Sequence, residues 1–133
     1  MTKLLADSSA FLALGDRADH HHRAATEFVR KNPRLTFVVT ELIVAEVATG
    51  VRARADAARA VGLAGSLLEG ARHELVLLDL ELLRAALDRM LRLADKRLSL
   101  TDCASFELMD RLGLRAAFTF DRDFRDCGYQ MLP

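Results

Sequence analysis

The sequence predicts an α/β fold, with a mostly parallel central sheet of four to five strands covered by helices on both faces. Three observations carry this. Short apolar or β-branched runs recur at 3–6, 36–39, 75–78, 116–120 and 129–132. Longer segments between them show helical spacing of apolar residues. No repeat or linker interrupts the chain, and its prolines are only Pro33 and the terminal Pro133. At 133 residues and 51% hydrophobic composition, it has the size of one domain, 1–133, with enough apolar material for a core.

The elements follow in order. Residues 3–6 form a buried strand that stops at Asp7. Residues 8–14 form a short helix closed by Gly15. Residues 20–30 are helical, with Ala24, Ala25, Phe28 and Val29 on one face, and Asn32-Pro33 ends the segment. The run 36–39 is the second strand. Thr40 caps a helix to about Val51, with Leu42, Ile43, Val47 and Ala48 facing inward. An Ala/Arg-rich helix covers 54–68, and 75–78 is the third strand. Asp79 caps the next helix, whose apolar stripe is Leu83, Leu87, Met90 and Ala94. Ser99 opens a further helix ending at Gly113. A fourth strand at 116–120, a short turn or helix at 121–126 and a last strand near 129–132 complete the chain.

Composition excludes several classes. Lys+Arg and Asp+Glu both number 19, which argues against a strongly basic nucleic-acid coat protein. No apolar run approaches a membrane span. The start lacks a signal-peptide core because Asp7 interrupts it, so a cytoplasmic protein is expected. Cys103 and Cys127 have no metal-binding spacing and are expected to be free thiols.

Four acids stand in unusual positions. Asp7 follows the first strand and Asp121 the fourth, on the edge where parallel strands end and ligands bind. Asp102 lies in the first turn of a helix. Glu46 lies among inward apolar neighbours, where an unpaired acid is costly. Hard divalent cations such as Mg²⁺ and Mn²⁺ take oxygen ligands from a few carboxylates plus water. Such an ion relieves carboxylate repulsion and activates water for phosphodiester hydrolysis. Each acid also has a plainer reading: Asp7 and Asp121 as helix caps, Asp102 as half of a capping box with Ser99. Asp123 is a candidate extension of the cluster, beside a surface role. Arg52, Arg54, Arg59 and Arg122 are candidate RNA contacts, although a solvated helix face is the default for such arginines. His20-His21-His22 reads as a solvated helix start, since contiguous histidines cannot all face one ion.

With these residues placed, the chain resembles the PIN-domain family, specifically the VapC-type toxins of bacterial toxin–antitoxin modules. The carrying segments are Leu5-Ala6-Asp7-Ser8-Ser9, Thr40-Glu41-Leu42-Ile43-Val44-Ala45-Glu46-Val47, Leu100-Thr101-Asp102-Cys103-Ala104 and Phe118-Thr119-Phe120-Asp121-Arg122-Asp123-Phe124. Their order and spacing across nearly the whole chain carry more weight than any one of them. The resemblance implies a Rossmann-like sheet and Mg²⁺- or Mn²⁺-dependent cleavage of tRNA or ribosomal RNA. It implies that Asp7, Glu46, Asp102 and Asp121 are the metal-site acids, supported by Ser8 and Thr119. It further implies a homodimer, and a cognate VapB-like antitoxin that inserts a segment into the acidic groove.

Three competing readings remain at this stage. A receiver-like signalling domain needs a lysine after a late strand, and Lys3, Lys31 and Lys96 do not supply one. A catalytically weak RNA- or antitoxin-binding module would keep the fold without the chemistry. A flap nuclease needs a longer chain.

Overall fold

The computed structural model describes residues 2–133. The elements run β1 (Lys3–Ala6), α1 (Ser8–Gly15), α2 (His22–Lys31), β2 (Thr36–Thr40), α3 (Glu41–Arg54), α4 (Ala57–Ser66), β3 (His73–Val76), α5 (Leu80–Arg92), a 3₁₀ turn at Ala94–Lys96, α6 (Leu100–Leu112), β4 (Ala116–Phe118), α7 (Arg122–Asp126) and β5 (Gln130–Leu132). The strands form one five-stranded sheet in the order β3-β2-β1-β4-β5. Every neighbouring pair is parallel.

The strand order reverses at β1. The chain moves outward through β2 to β3, then returns to β4 on the other side of β1. Right-handed crossovers place the outbound helices on one face and α5 and α6 on the other. The packing agrees: α1 meets α2 and α3, α3 meets α4, and α5 meets α6. Covered on both sides, β2 is buried along its whole length, as its apolar, β-branched sequence requires. Leu5, Phe11, Val38, Val39, Phe106 and Phe118 fill the core.

Side chains fix where helices begin. Thr40 Oγ1 accepts the Ile43 amide at 3.2 Å and Asp79 Oδ1 the Leu82 amide at 2.7 Å. Such caps satisfy otherwise orphaned donors. Two close approaches fix α1: a Cβ on Gly50 would meet Leu12 Cδ2 at 2.7 Å, and one on Gly15 would meet Leu63 Cδ2 at 2.7 Å. On the other face, Arg89 of α5 reaches Glu107 at 3.0 Å and Asp110 at 2.7 Å on α6. Tyr129 donates to Asp110 at 2.7 Å and ties β5 to the same helix.

Four expectations are corrected. The third strand starts and ends two residues early. β2 turns into α3 after Thr40, the partner of Val76, so the ladder has nothing beyond it. The Leu78 amide instead donates to the Glu41 carboxylate, at 2.9 Å to Oε1. The buried stripe of α5 contains Leu82 and Ala86, one position before the expected one, and Leu87 and Met90 are exposed. Both stripes satisfy helical spacing, so periodicity alone could not choose. α2 begins at His22, and its Ala24 is exposed; the turn before it is held by Asp19, whose Oδ1 accepts the His21 amide at 2.8 Å. The Ala/Arg-rich segment splits, because α3 runs on to Arg54 and Asp56 caps α4.

Ser105, in the middle of α6, is the one buried side-chain polar atom without a hydrogen-bond partner among the described residues. Leaving a buried hydroxyl unpaired costs stability. Ser105→Ala is therefore expected to raise the free energy of unfolding by about 0.5–1 kcal/mol, read from urea midpoints. A loss of similar size would mean that the hydroxyl does have a partner, such as a bound water. Among the described residues no helix is long and apolar enough to cross a membrane.

Candidate metal centre

The carboxyl ends of β1 and β4 carry two of the acids, Asp7 and Asp121, into neighbouring turns. The sheet ladder carries one residue past β1, where the Asp7 amide donates to Phe118 O at 3.0 Å. Asp7 thus sits at the switch point in strand order, only 3% exposed. It occupies the N-cap position of α1, yet its side chain makes no capping hydrogen bond. Its Oδ2 accepts instead from Ser9 Oγ at 2.8 Å and from Thr119 Oγ1 at 3.0 Å. The plainer reading of Asp7 as a cap is not what the side chain does.

Thr119 links the two acid-bearing turns. While donating to Asp7, its hydroxyl accepts the Asp121 amide at 3.0 Å. Ser9 does the same job one step along, accepting the Phe120 amide at 3.0 Å. These bonds draw the chain after Phe118 out of the sheet toward Asp7, and β4 ends two residues before expected. Asp121 then caps α7 through the Asp123 amide at 2.9 Å.

Asp102 serves two purposes. It completes a capping box with Ser99: its amide donates to Ser99 Oγ at 3.0 Å, and its Oδ2 accepts the Ser99 amide at 3.3 Å. It also joins Asp121 and Asp123 in a group in which one carboxylate oxygen from each residue lies within 4.8 Å of the others. The structure thus brings Asp123 into the cluster, as the extension considered from sequence. Asp7 and Glu46 lie outside that group, Asp7 after β1 and Glu46 on α3. Glu46 is half-buried and accepts from Ser8 Oγ at 2.7 Å, so the residue beside Asp7 holds it toward the same edge.

Crowding marks the electrostatics. Burial pushes the Asp7 carboxyl up from its ordinary range, against the Ser9 and Thr119 hydroxyl bonds, and the Asp121 charge adds to the rise. Burial also pushes Asp102 up, to about 7, reinforced by the charges of Asp7 and Asp121. Asp123 rises through burial and the charges of Asp121 and Asp126. Among the described residues no lysine or arginine forms an ion pair with Asp7, Glu46, Asp102, Asp121 or Asp123. No paired cation offsets the cluster, although the Lys96 charge acts on Asp123, and an all-oxygen donor set of this kind suits a hard divalent cation.

Other candidates lie elsewhere. Arg54 is engaged with Asp19 at 2.8 Å and Asp16 at 3.3 Å. Arg52 and Arg122 are exposed, and Arg59 is exposed near Asp56 at 3.6 Å. The three histidines diverge: His22 Nδ1 pairs with Ala13 O at 2.7 Å, and the His21 ring stacks on Phe120. Sequence reasoning overlooked Ser9 as a support. Its signal was a hydroxyl two residues after a strand-end aspartate, in Asp7-Ser8-Ser9.

Comparison with known proteins fits this geometry. The PIN domain family model matches residues 4–128. The chain is 28% identical over 127 residues to the 23S rRNA-specific endonuclease VapC20 of Mycobacterium tuberculosis, covering 95% of each chain, in both strain CDC 1551 / Oshkosh and strain ATCC 25618 / H37Rv. The crystal structure of Mycobacterium tuberculosis VapC20, described as a Sarcin-Ricin loop cleaving toxin, superposes with a TM-score of 0.88 at 24% identity and 95% coverage of each chain.

Proposed function

The chain belongs to the PIN-domain family, and from that premise we propose that it is a metal-dependent endoribonuclease, the toxin of a toxin–antitoxin pair. The carrying observation is the group Asp102, Asp121 and Asp123, with one carboxylate oxygen from each within 4.8 Å of the others, beside buried Asp7 and without a paired cation. Membership of this family sets aside the receiver-like alternative.

Asp7, Glu46, Asp102 and Asp121 would hold Mg²⁺ or Mn²⁺, together with Asp123, which offers an oxygen within 4.8 Å of those of Asp102 and Asp121. When bound, the ion supplies Lewis-acid charge and a water acidic enough to attack phosphorus near neutral pH. In the hydrolysis, a water oxygen bonds to phosphorus, one P–O ester bond breaks, and the leaving oxygen takes a proton. The chain's own part is placement. Ser9 and Thr119 fix Asp7, Ser8 fixes Glu46, and Ser99 fixes Asp102. Burial and neighbouring charges raise both Asp7 and Asp102, Asp102 to about 7, so these are the carboxyls that would release protons if a cation filled the site.

Similarity to a 23S rRNA-specific endonuclease favours ribosomal RNA as substrate over tRNA. The protein would then act in the cytoplasm, and of the four candidate arginines, exposed Arg52 and Arg122 are in no ion pair among the described residues and would be free to meet phosphate. A cognate antitoxin would answer the uncompensated acids with a basic side chain. A homodimer is also proposed. Among the exposed large apolar residues are Leu80, Leu87, Met90 and Leu91 along α5, with Leu77 before it. A face of that kind is best covered by a second copy, and a monomer by light scattering at micromolar concentration would refute it.

The test of the activity is direct. Purified protein is incubated with total cellular RNA and Mn²⁺, Mg²⁺ or EDTA, and the new 5′ ends are sequenced. Discrete cuts in ribosomal RNA that need the metal are expected. Intact RNA in every condition would overturn the reading.

A further inference from the structure

Beside the acids lies a feature that metal binding does not use. The His21 ring stacks on Phe120 with centroids 4.3 Å apart and planes 7° apart, and His20 meets His21 edge-on at 5.0 Å. His20 and His21 are exposed. Among the described residues, neither ring forms a hydrogen bond with the protein, unlike His22.

The stack is anchored on both sides, and its Phe120 side is tied to the acid site. The Phe120 amide donates to Ser9 Oγ, the same hydroxyl that donates to Asp7. Phe120 adjoins Asp121, and consecutive Cα atoms lie about 3.8 Å apart. On the other side, the His21 amide donates to Asp19, which Arg54 holds at 2.8 Å. Along 119–121 the contacts alternate: Thr119 bonds to Asp7, Phe120 meets His21, and Asp121 joins the acids.

We propose that the His21–Phe120 stack is a platform for the nucleobase next to the cleaved phosphate, with His21 as a substrate-positioning residue. The proposal rests on the ribonuclease reading above. A bound cation and arginines such as Arg52 and Arg122 would answer the phosphates, but neither touches a base. Holding the base next to the cut calls for a contact of another kind. Unstacked RNA bases find it on aromatic side chains, which take any base because every base has a π-face. The unpaired His21 nitrogens add a donor or acceptor for the base edge or the sugar.

The test compares the parent with His21→Ala and His21→Tyr. The substrate is the RNA fragment that carries the parent's main cut in total cellular RNA. His21→Ala is expected to raise KM about tenfold, the size of one lost base stack, with kcat held within about twofold. Tm and Mn²⁺ affinity should match the parent. His21→Tyr, which keeps an aromatic face, should restore KM. An unchanged KM in His21→Ala overturns the platform, as does a raised KM that tyrosine fails to restore. If the parent itself cuts no RNA with Mn²⁺, the ribonuclease reading fails and the platform with it.

Discussion

Asp7→Asn is expected to lower RNA cleavage by at least about 100-fold, the scale on which one electrostatic contributor to a phosphoryl site is felt, while the fold survives. The hydrogen bonds explain why the two effects separate. Ser9 and Thr119 both donate to one oxygen, Oδ2. Asparagine can place its carbonyl oxygen there and keep both bonds. Its amide group then takes the place of Oδ1, the oxygen left without a side-chain donor. Charge is lost where a cation would bind, and repulsion of Asp121 is relieved. The metal-free variant should therefore melt at or above the parent's Tm. Cleavage of total RNA with Mn²⁺, beside circular dichroism, checks both halves. Parent-like cleavage would remove Asp7 from the mechanism.

Millimolar Mn²⁺ is expected to raise Tm by about 5–10 °C at pH 8, and by much less at pH 5. A ligand present at 100 times its Kd adds about 2.7 kcal/mol to the folded state, and each kcal/mol moves a domain of this size by several degrees. The pH dependence comes from Asp102. Its carboxyl titrates near 3.9 when unfolded and at about 7 in the fold. Between those values the folded protein holds a proton that the unfolded chain has released. This stabilising contribution is fully present below about pH 4 and is lost as pH rises through 7. Without metal, stability should fall across that window by an amount on the order of a few kcal/mol. Asp7, also raised, acts in the same direction. With Mn²⁺, deprotonation is coupled to binding and the trend should flatten or reverse. A Tm indifferent to Mn²⁺ at pH 8 would count against the acids as a cation site.

The strand-end acids were legible because two short rules converge on them. A buried run that stops at an aspartate marks the carboxyl edge of a parallel sheet, and Asp7 and Asp121 both satisfy it. Asp102 was harder, since its two roles share one sequence signature: Ser99-Leu100-Thr101-Asp102 is a capping box whether or not other acids converge there. Glu46 stood out as an acid among apolar neighbours, but its anchor Ser8 was available only through the family resemblance. A hydrogen bond across 38 positions leaves no mark in local patterning. The misplaced stripe of α5 has a related cause. Leu82, Leu83, Leu87, Met90 and Leu91 offer apolar spacing on two adjacent faces, and only the partner helix α6 decides which is buried. The His21–Phe120 stack joins the α1–α2 turn to the turn after β4 and had no sequence signal.

The reversal of strand order at β1 also governs when the site comes into being. Leu5 must find Ala117 and Ala6 must find Phe118, across most of the chain, before Asp7 and Asp121 can meet. Long-range pairings of this kind have high contact order and form slowly, because the loop they close costs entropy before any contact repays it. Helices such as α3 and α6 depend on neighbouring residues and can form much sooner. During refolding from urea, helical signal should therefore return ahead of cation binding. A newly folded chain would pass through an interval in which its secondary structure is present and its cutting edge is still blunt.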